Sequence, residues 1–374
     1  MATHLVAAAL LSGCGSSNAG PTTLFDRLVA DVDATGTDVV AVWICDVPLG
    51  TTDPTYEPGS FRLDLTPEGV VDRADARLAR YFDTISHGLY AVQLVAGGTI
   101  DMATDEDSHD CVAHAIDQQL AEEEAIAGAP AADVVLAVAT AEHTASAPGG
   151  WGTQGDAERC GAACTLATSR RAAYVGASDF HPSWGAVPAL DLMEHELGHT
   201  LGLPHSGDVG RGEPGYTSAL DLMSNSAAPR DVDPTVLDGP DILGVDRLAL
   251  GWLPPGDVEV VDADGAEAIT LAPSTGERGR RLAVVTLDAH RMLTVELLVP
   301  TGFDAHLPAA GVAVHLVDDG QGDGTARVQQ TLGGAPPFTD LLTTGASLTA
   351  EGWTITVRSV DDASAQLAIE PADR

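Results

Sequence analysis

The run His195-Glu196-Leu197-Gly198-His199-Thr200-Leu201-Gly202-Leu203-Pro204-His205 constrains this chain more than any other segment. On an α-helix, residues four apart share a face, with Cβ atoms about 5–6 Å apart. His195 and His199 can therefore turn imidazole nitrogens toward one point. Gly202 is the natural stop, because glycine takes the left-handed conformation without steric penalty. Pro204 then bars the helix from resuming. The chain must reverse there and return His205 to the same point. Upstream, Pro188 is expected at the first helical position. Leu190, Met193, Leu197 and Leu201 repeat at three- and four-residue steps, which gives a buried stripe.

Three imidazoles aimed at one point form a metal donor set. Zinc takes such nitrogens at about 2.0–2.1 Å, and a catalytic zinc keeps its fourth position for water. His195, His199 and His205 are the expected ligands. Glu196 lies one step round the helix from His195, where it reaches that water rather than the ion. It is the expected general base. The pattern predicts a zinc-dependent hydrolase.

The extended motif, with Gly202, His205 and Met223 in Ser218-Ala219-Leu220-Asp221-Leu222-Met223-Ser224, resembles the metzincin clan of zinc endopeptidases. The flanks, Asp191-Leu192-Met193 and Leu243 to Trp252, are similar to secreted gametolysin-type and immune-inhibitor-A-type enzymes. The resemblance covers about residues 186–252. It implies an α/β catalytic fold, peptide-bond hydrolysis by a zinc-bound water that Glu196 activates, and Met223 as a hydrophobic floor beneath the metal. It also implies that the strand before the motif, Ala172 to Ser178, is an edge that pairs with extended substrate. Some metzincins carry a tyrosine ligand two residues after the methionine. Here that position is Asn225, so a four-coordinate site completed by water is expected. Tyr216 is expected to be a packed loop aromatic, with a substrate-facing role as the alternative. The same metal site would also serve a hydrolase of a non-peptide amide. A surface binding or adhesion lipoprotein is a third reading, against which the intact Glu196 argues.

The charge is lopsided, with 55 Asp and Glu against 18 basic residues and a net charge of −37. All the basic residues are arginine. Such a surface excludes nucleic acid and anionic lipid headgroups as partners. The expected partner is a protein or peptide substrate. The N-terminus reads as an export signal: Leu5 to Leu11 is apolar, and Leu11-Ser12-Gly13-Cys14 resembles a bacterial lipobox. Residues 1–20 are thus read as a lipoprotein-type signal and tether, with Cys14 the lipid-bearing residue and the only expected link to a membrane. The n-region departs from that pattern in having no Lys or Arg. Cys45, Cys111, Cys160 and Cys164 remain, an even count that suits two disulfides in an exported protein. Three connectivities are open. Cys45–Cys111 with Cys160–Cys164 is the expected one, since the second pair closes a short loop.

Residues 21–252 are expected to form the α/β catalytic domain. Val39 to Ile44, Leu89 to Val95 and Ala132 to Ala139 read as strands. Pro67 to Ser86, capped by Thr66, and His109 to Ala125 read as helices between them. Residues 145–171 read as a long Gly-rich loop, and Asp241 to Leu250 as a helix closed by Gly251. From residue 253 to 374, short β-rich runs separated by turns predict a sandwich-like accessory domain. Asp318 to Gly324 has calcium-loop chemistry but lacks the closing glutamate of an EF-hand, so a polar hairpin turn is preferred to a structural calcium site.

Overall fold

The computed structural model describes residues 23–30, 34–48, 62–125, 131–141, 149–155, 169–181, 183, 188–207, 216–320 and 327–372. The signal and tether with Cys14, the Cys160/Cys164 pair, and positions 321–324 of the acidic loop lie outside them. The protein is mixed α/β, with one sheet flanked by helices followed by two further sheets.

The chain begins with helix α1 (Leu24–Ala30) and strand β1 (Gly36–Asp46). Helix α2 (Pro67–Ile85), strand β2 (Tyr90–Asp101), helix α3 (Ser108–Ala125) and strand β3 (Val134–Ala139) follow. Strands β4 (Gly150–Thr153) and β5 (Arg171–Val175) complete a sheet of order β2-β1-β3-β5-β4. All its pairings are parallel except β4 with β5. The unbroken apolar run in β1 follows from burial on both faces. Val40, Val42 and Ile44 pack with α2, while Ala41, Trp43 and Cys45 pack with α3. Thr66 caps α2 by accepting a hydrogen bond from Gly69 N. The Cys45–Cys111 disulfide ties β1 to α3, as the sequence predicts.

Two expectations about this sheet are overturned. β5 is not an edge, because β4 covers its free side. The edge is β4, inside the stretch read as loop. Its sequence, Gly-Trp-Gly-Thr, has no alternating apolar pattern, and it is half-buried by the helix that crosses it. Past Val175 the chain leaves the strand for a 3₁₀ turn at Ala177–Phe180.

Helix α4 (Asp191–Thr200) carries the histidine motif. It starts three residues later than Pro188. Ala189 N and Leu190 N are bonded to the carbonyls of Asp179 and Leu237, which hold this stretch outside the helix. Arg230 anchors the first turn through Asp191 at 2.7 Å. Strand β6 (Ser206–Gly207) and helices α5 (Ala228–Val232) and α6 (Gly244–Ala249) follow. α6 is shorter than the predicted 241–250 helix. Residues 241–243 precede it because Asp241 instead pairs with the buried Arg247 and its carbonyl accepts from Leu222 N.

The remaining strands are β7 (Val258–Val261), β8 (Ala266–Leu271), β9 (Leu282–Thr286), β10 (Arg291–Leu298), β11 (Gly311–Asp318) and β12 (Val328–Leu332). Then come β13 (Ser347–Ala350), β14 (Trp353–Val360) and β15 (Ala365–Pro371). They build one sheet of order β6-β12-β11-β10-β9-β7 and another of order β13-β14-β15-β8. Leu293, Val295 and Val314 of the first share a core with Ile355, Leu367 and Ile369 of the second. Two early elements join this later half. β6 pairs with β12 through Ser206 and Gln329, and α1 packs Leu24 and Leu28 against Leu243, Leu248 and Met292. In the acidic loop, Asp318 accepts from Gly320 N, while Asp319 pairs with Arg27 and His290. No helix among the described residues is long and apolar enough to cross a membrane.

Candidate metal centre

α4 lies with its apolar residues Met193 and Leu197 in the core and its histidine face toward β4. The helix ends as the sequence predicts. Gly202 has φ +88°, its N–H bonds to the His199 carbonyl, and Leu203 N bonds back to Gly198 O. The reversed chain brings His205 to His195 and His199, and Ser206 N then docks on the Met223 carbonyl. The three predicted ligands are therefore assembled at one place.

Hydrogen bonds set the tautomers. His195 Nδ1 donates to the Leu222 carbonyl and His199 Nδ1 to the Leu203 carbonyl, each at 2.7 Å. A carbonyl only accepts, so both Nδ1 atoms carry the proton and both Nε2 atoms present a lone pair. Yet His199 Nε2 stands 3.1 Å from His195 Nε2, and 3.0 Å from His205 Nε2. Two lone pairs at that separation repel one another unless a cation lies between them. Nitrogens about 2.0–2.1 Å from one tetrahedral ion would be about 3.3 Å apart, close to these spacings. The donor set fits a first-row dication that favours imidazole. Burial keeps the rings neutral, which is the ligating form. It lowers His195 well below its ordinary value, with His199 and His205 adding to the effect. Burial likewise brings His199 to about 4, and burial with the His199 charge brings His205 to about 3.

Glu196 is buried between α4 and β4, and its Oε2 has no hydrogen-bond partner among the described residues. An orphaned carboxylate oxygen beside three metal donors is what a proton-accepting group needs in order to meet a water. Burial, and then the carboxylate of Asp179, hold this acid well above the usual range. A dication at the histidines would pull it back down.

Met223 is fully buried beneath α4. A Cβ at Gly198 would come within 2.6 Å of its sulfur, so the helix needs glycine there to sit on the methionine. Asn225 turns away, and its Nδ2 donates to Asp231. Tyr216 is not the packed aromatic that was expected. It is 53% exposed, its ring lies 4.8 Å from the His205 ring, and its Oη is 3.1 Å from His205 Nε2. Burial and the Glu196 charge push its phenol above the ordinary value.

Sequence reasoning had no signal for Asp179, or for Gly150 and Gly152, whose missing side chains admit Glu196 and His199 against β4. Comparison with known proteins yields no matching family model and no matching curated protein.

Proposed function

We propose that this chain is an exported zinc endopeptidase of metzincin type. One observation carries the reading: three imidazole Nε2 atoms converge next to a buried glutamate whose Oε2 has no hydrogen-bond partner among the described residues. His195, His199 and His205 would hold the ion. When bound, zinc supplies a Lewis acid that polarises a carbonyl and acidifies water. Glu196 orients the attacking water, takes its proton and passes it to the leaving amine. Among the described strands β4 pairs with β5 and is the last of its sheet, which supports the addition of an extended peptide beside it. Export is supported by the Cys45–Cys111 disulfide, since such bonds persist in oxidising compartments.

The test is cleavage of a denatured protein mixture by zinc-loaded protein, with Glu196→Ala alongside and the new termini read by mass spectrometry. The variant is expected to keep its zinc and lose turnover by a factor on the order of 10²–10⁴. Full zinc occupancy with no cleavage by the wild type would refute the peptidase. It would favour a narrow hydrolase of another amide or a binding protein.

A further inference from the structure

Tyr216 has a place in this centre that its position in the chain does not announce. Ser218 N bonds to Ser224 Oγ, and Asn225 N bonds to the Ser218 carbonyl, closing the loop that carries Met223. The chain enters that closed loop at Tyr216, which is thereby held over the His195 and His205 rings at 5.9 and 4.8 Å. Its Oη meets Nε2 of His205, the same nitrogen that faces His199. A lone pair serves one partner at a time. Once His205 Nε2 turns its lone pair to an ion, the hydroxyl loses its acceptor and is left beside that ion. A phenolic oxygen is itself a metal donor. The side chain of Asn225 is engaged elsewhere, its Nδ2 donating to Asp231.

We infer that Tyr216 supplies a fourth protein donor, through its phenolic oxygen, to the ion held by His195, His199 and His205. This rests on the metal-binding reading above. It departs from the expectation of a three-histidine site completed by water alone. The donor arrives from the segment before the methionine rather than from the position two residues after it.

Copper(II) provides the test, because a phenolate bound to copper gives a visible ligand-to-metal charge-transfer band that histidine alone does not. The full chain, stripped and reloaded with one copper per molecule, is expected to show this band. Tyr216→Phe is expected to hold one copper without the band, and to bind zinc about 10–100-fold more weakly than the wild type. The substitution removes one half-exposed hydroxyl, and an unchanged far-ultraviolet dichroism spectrum would confirm the fold. A copper-loaded wild type with no band would overturn the proposal, as would a band that survives in Tyr216→Phe. If the wild type takes up neither copper nor zinc, the histidine centre itself falls, and this proposal with it.

Discussion

The contact between α4 and β4 sets how Glu196 is aimed, and Gly152→Ala tests it. A Cβ at position 152 would sit 2.1 Å from the Glu196 carbonyl oxygen and 2.8 Å from His199 Cβ. Neither neighbour is the free end of a flexible side chain. Ordinary contact between such atoms needs about 3.5 Å, so helix and strand must part by about 1 Å or more. α4 is pinned by Met193 and Leu197 in the core and by the Asp191–Arg230 pair, whereas β4 is a four-residue strand at the end of its sheet, paired among the described strands with β5. The strand therefore yields. Overpacking of this kind costs about 1–3 kcal/mol. On the proposed reading, in which substrate docks beside β4, a displacement of about 1 Å should also lower turnover by roughly 10²-fold. The three histidines lie on α4 and the segment after it, so metal stoichiometry should hold. Urea unfolding of the metal-loaded protein reads the first quantity, and peptide turnover at measured zinc content reads the second. Gly256→Ala is the control, since nothing lies within 4 Å of a Cβ there. A Gly152→Ala protein with wild-type midpoint and wild-type turnover would show that β4 does not seat against the helix.

Two further predictions concern the scaffold. Cys45 and Cys111 close a loop with a sequence separation of 66, so the double alanine variant should lose about 4 kcal/mol by the chain-entropy estimate. Denaturant midpoints measure this, and a loss under 1 kcal/mol would mean that the disulfide is incidental. Burial raises Glu296 to about 7, against only partial relief from Ser274 and Gly244. An acid whose pKa is raised on folding contributes its stability below its ordinary value near 4.5, and that contribution fades as pH rises through about 7. Glu296→Gln should therefore match the wild type near pH 4.5 and exceed it by about 3 kcal/mol at pH 8. A difference that stays flat across that range in urea titrations would refute the shift.

What the sequence disclosed about the centre, and what it hid, divides along a physical line. His195, Glu196 and His199 were legible because helical spacing is local, and Gly202 with His205 because a glycine stop is local too. Cys45–Cys111 was reached only as the pair left over when Cys160 and Cys164 close a short loop, whereas the α/β order of β1 to β3 was legible because continuous apolar runs and a capped helix announce themselves. β4 was not, because a Gly-Trp-Gly-Thr strand owes its conformation to the helix that crosses it. The start of α4 was misplaced because partners 179 and 237, far along the chain, decide which backbone groups are already bonded. Tyr216 was read as a packed loop aromatic because only the closure of the Ser218–Asn225 loop puts its hydroxyl beside His205. The donors on α4 and its stop are thus held by short-range structure. The parts packed around them, namely β4, Met223 and Tyr216, arrive through long-range packing. Damage to the long-range scaffold should accordingly erode turnover before it erodes metal binding, and a panel of scaffold variants losing metal first would place the weak link in α4 instead.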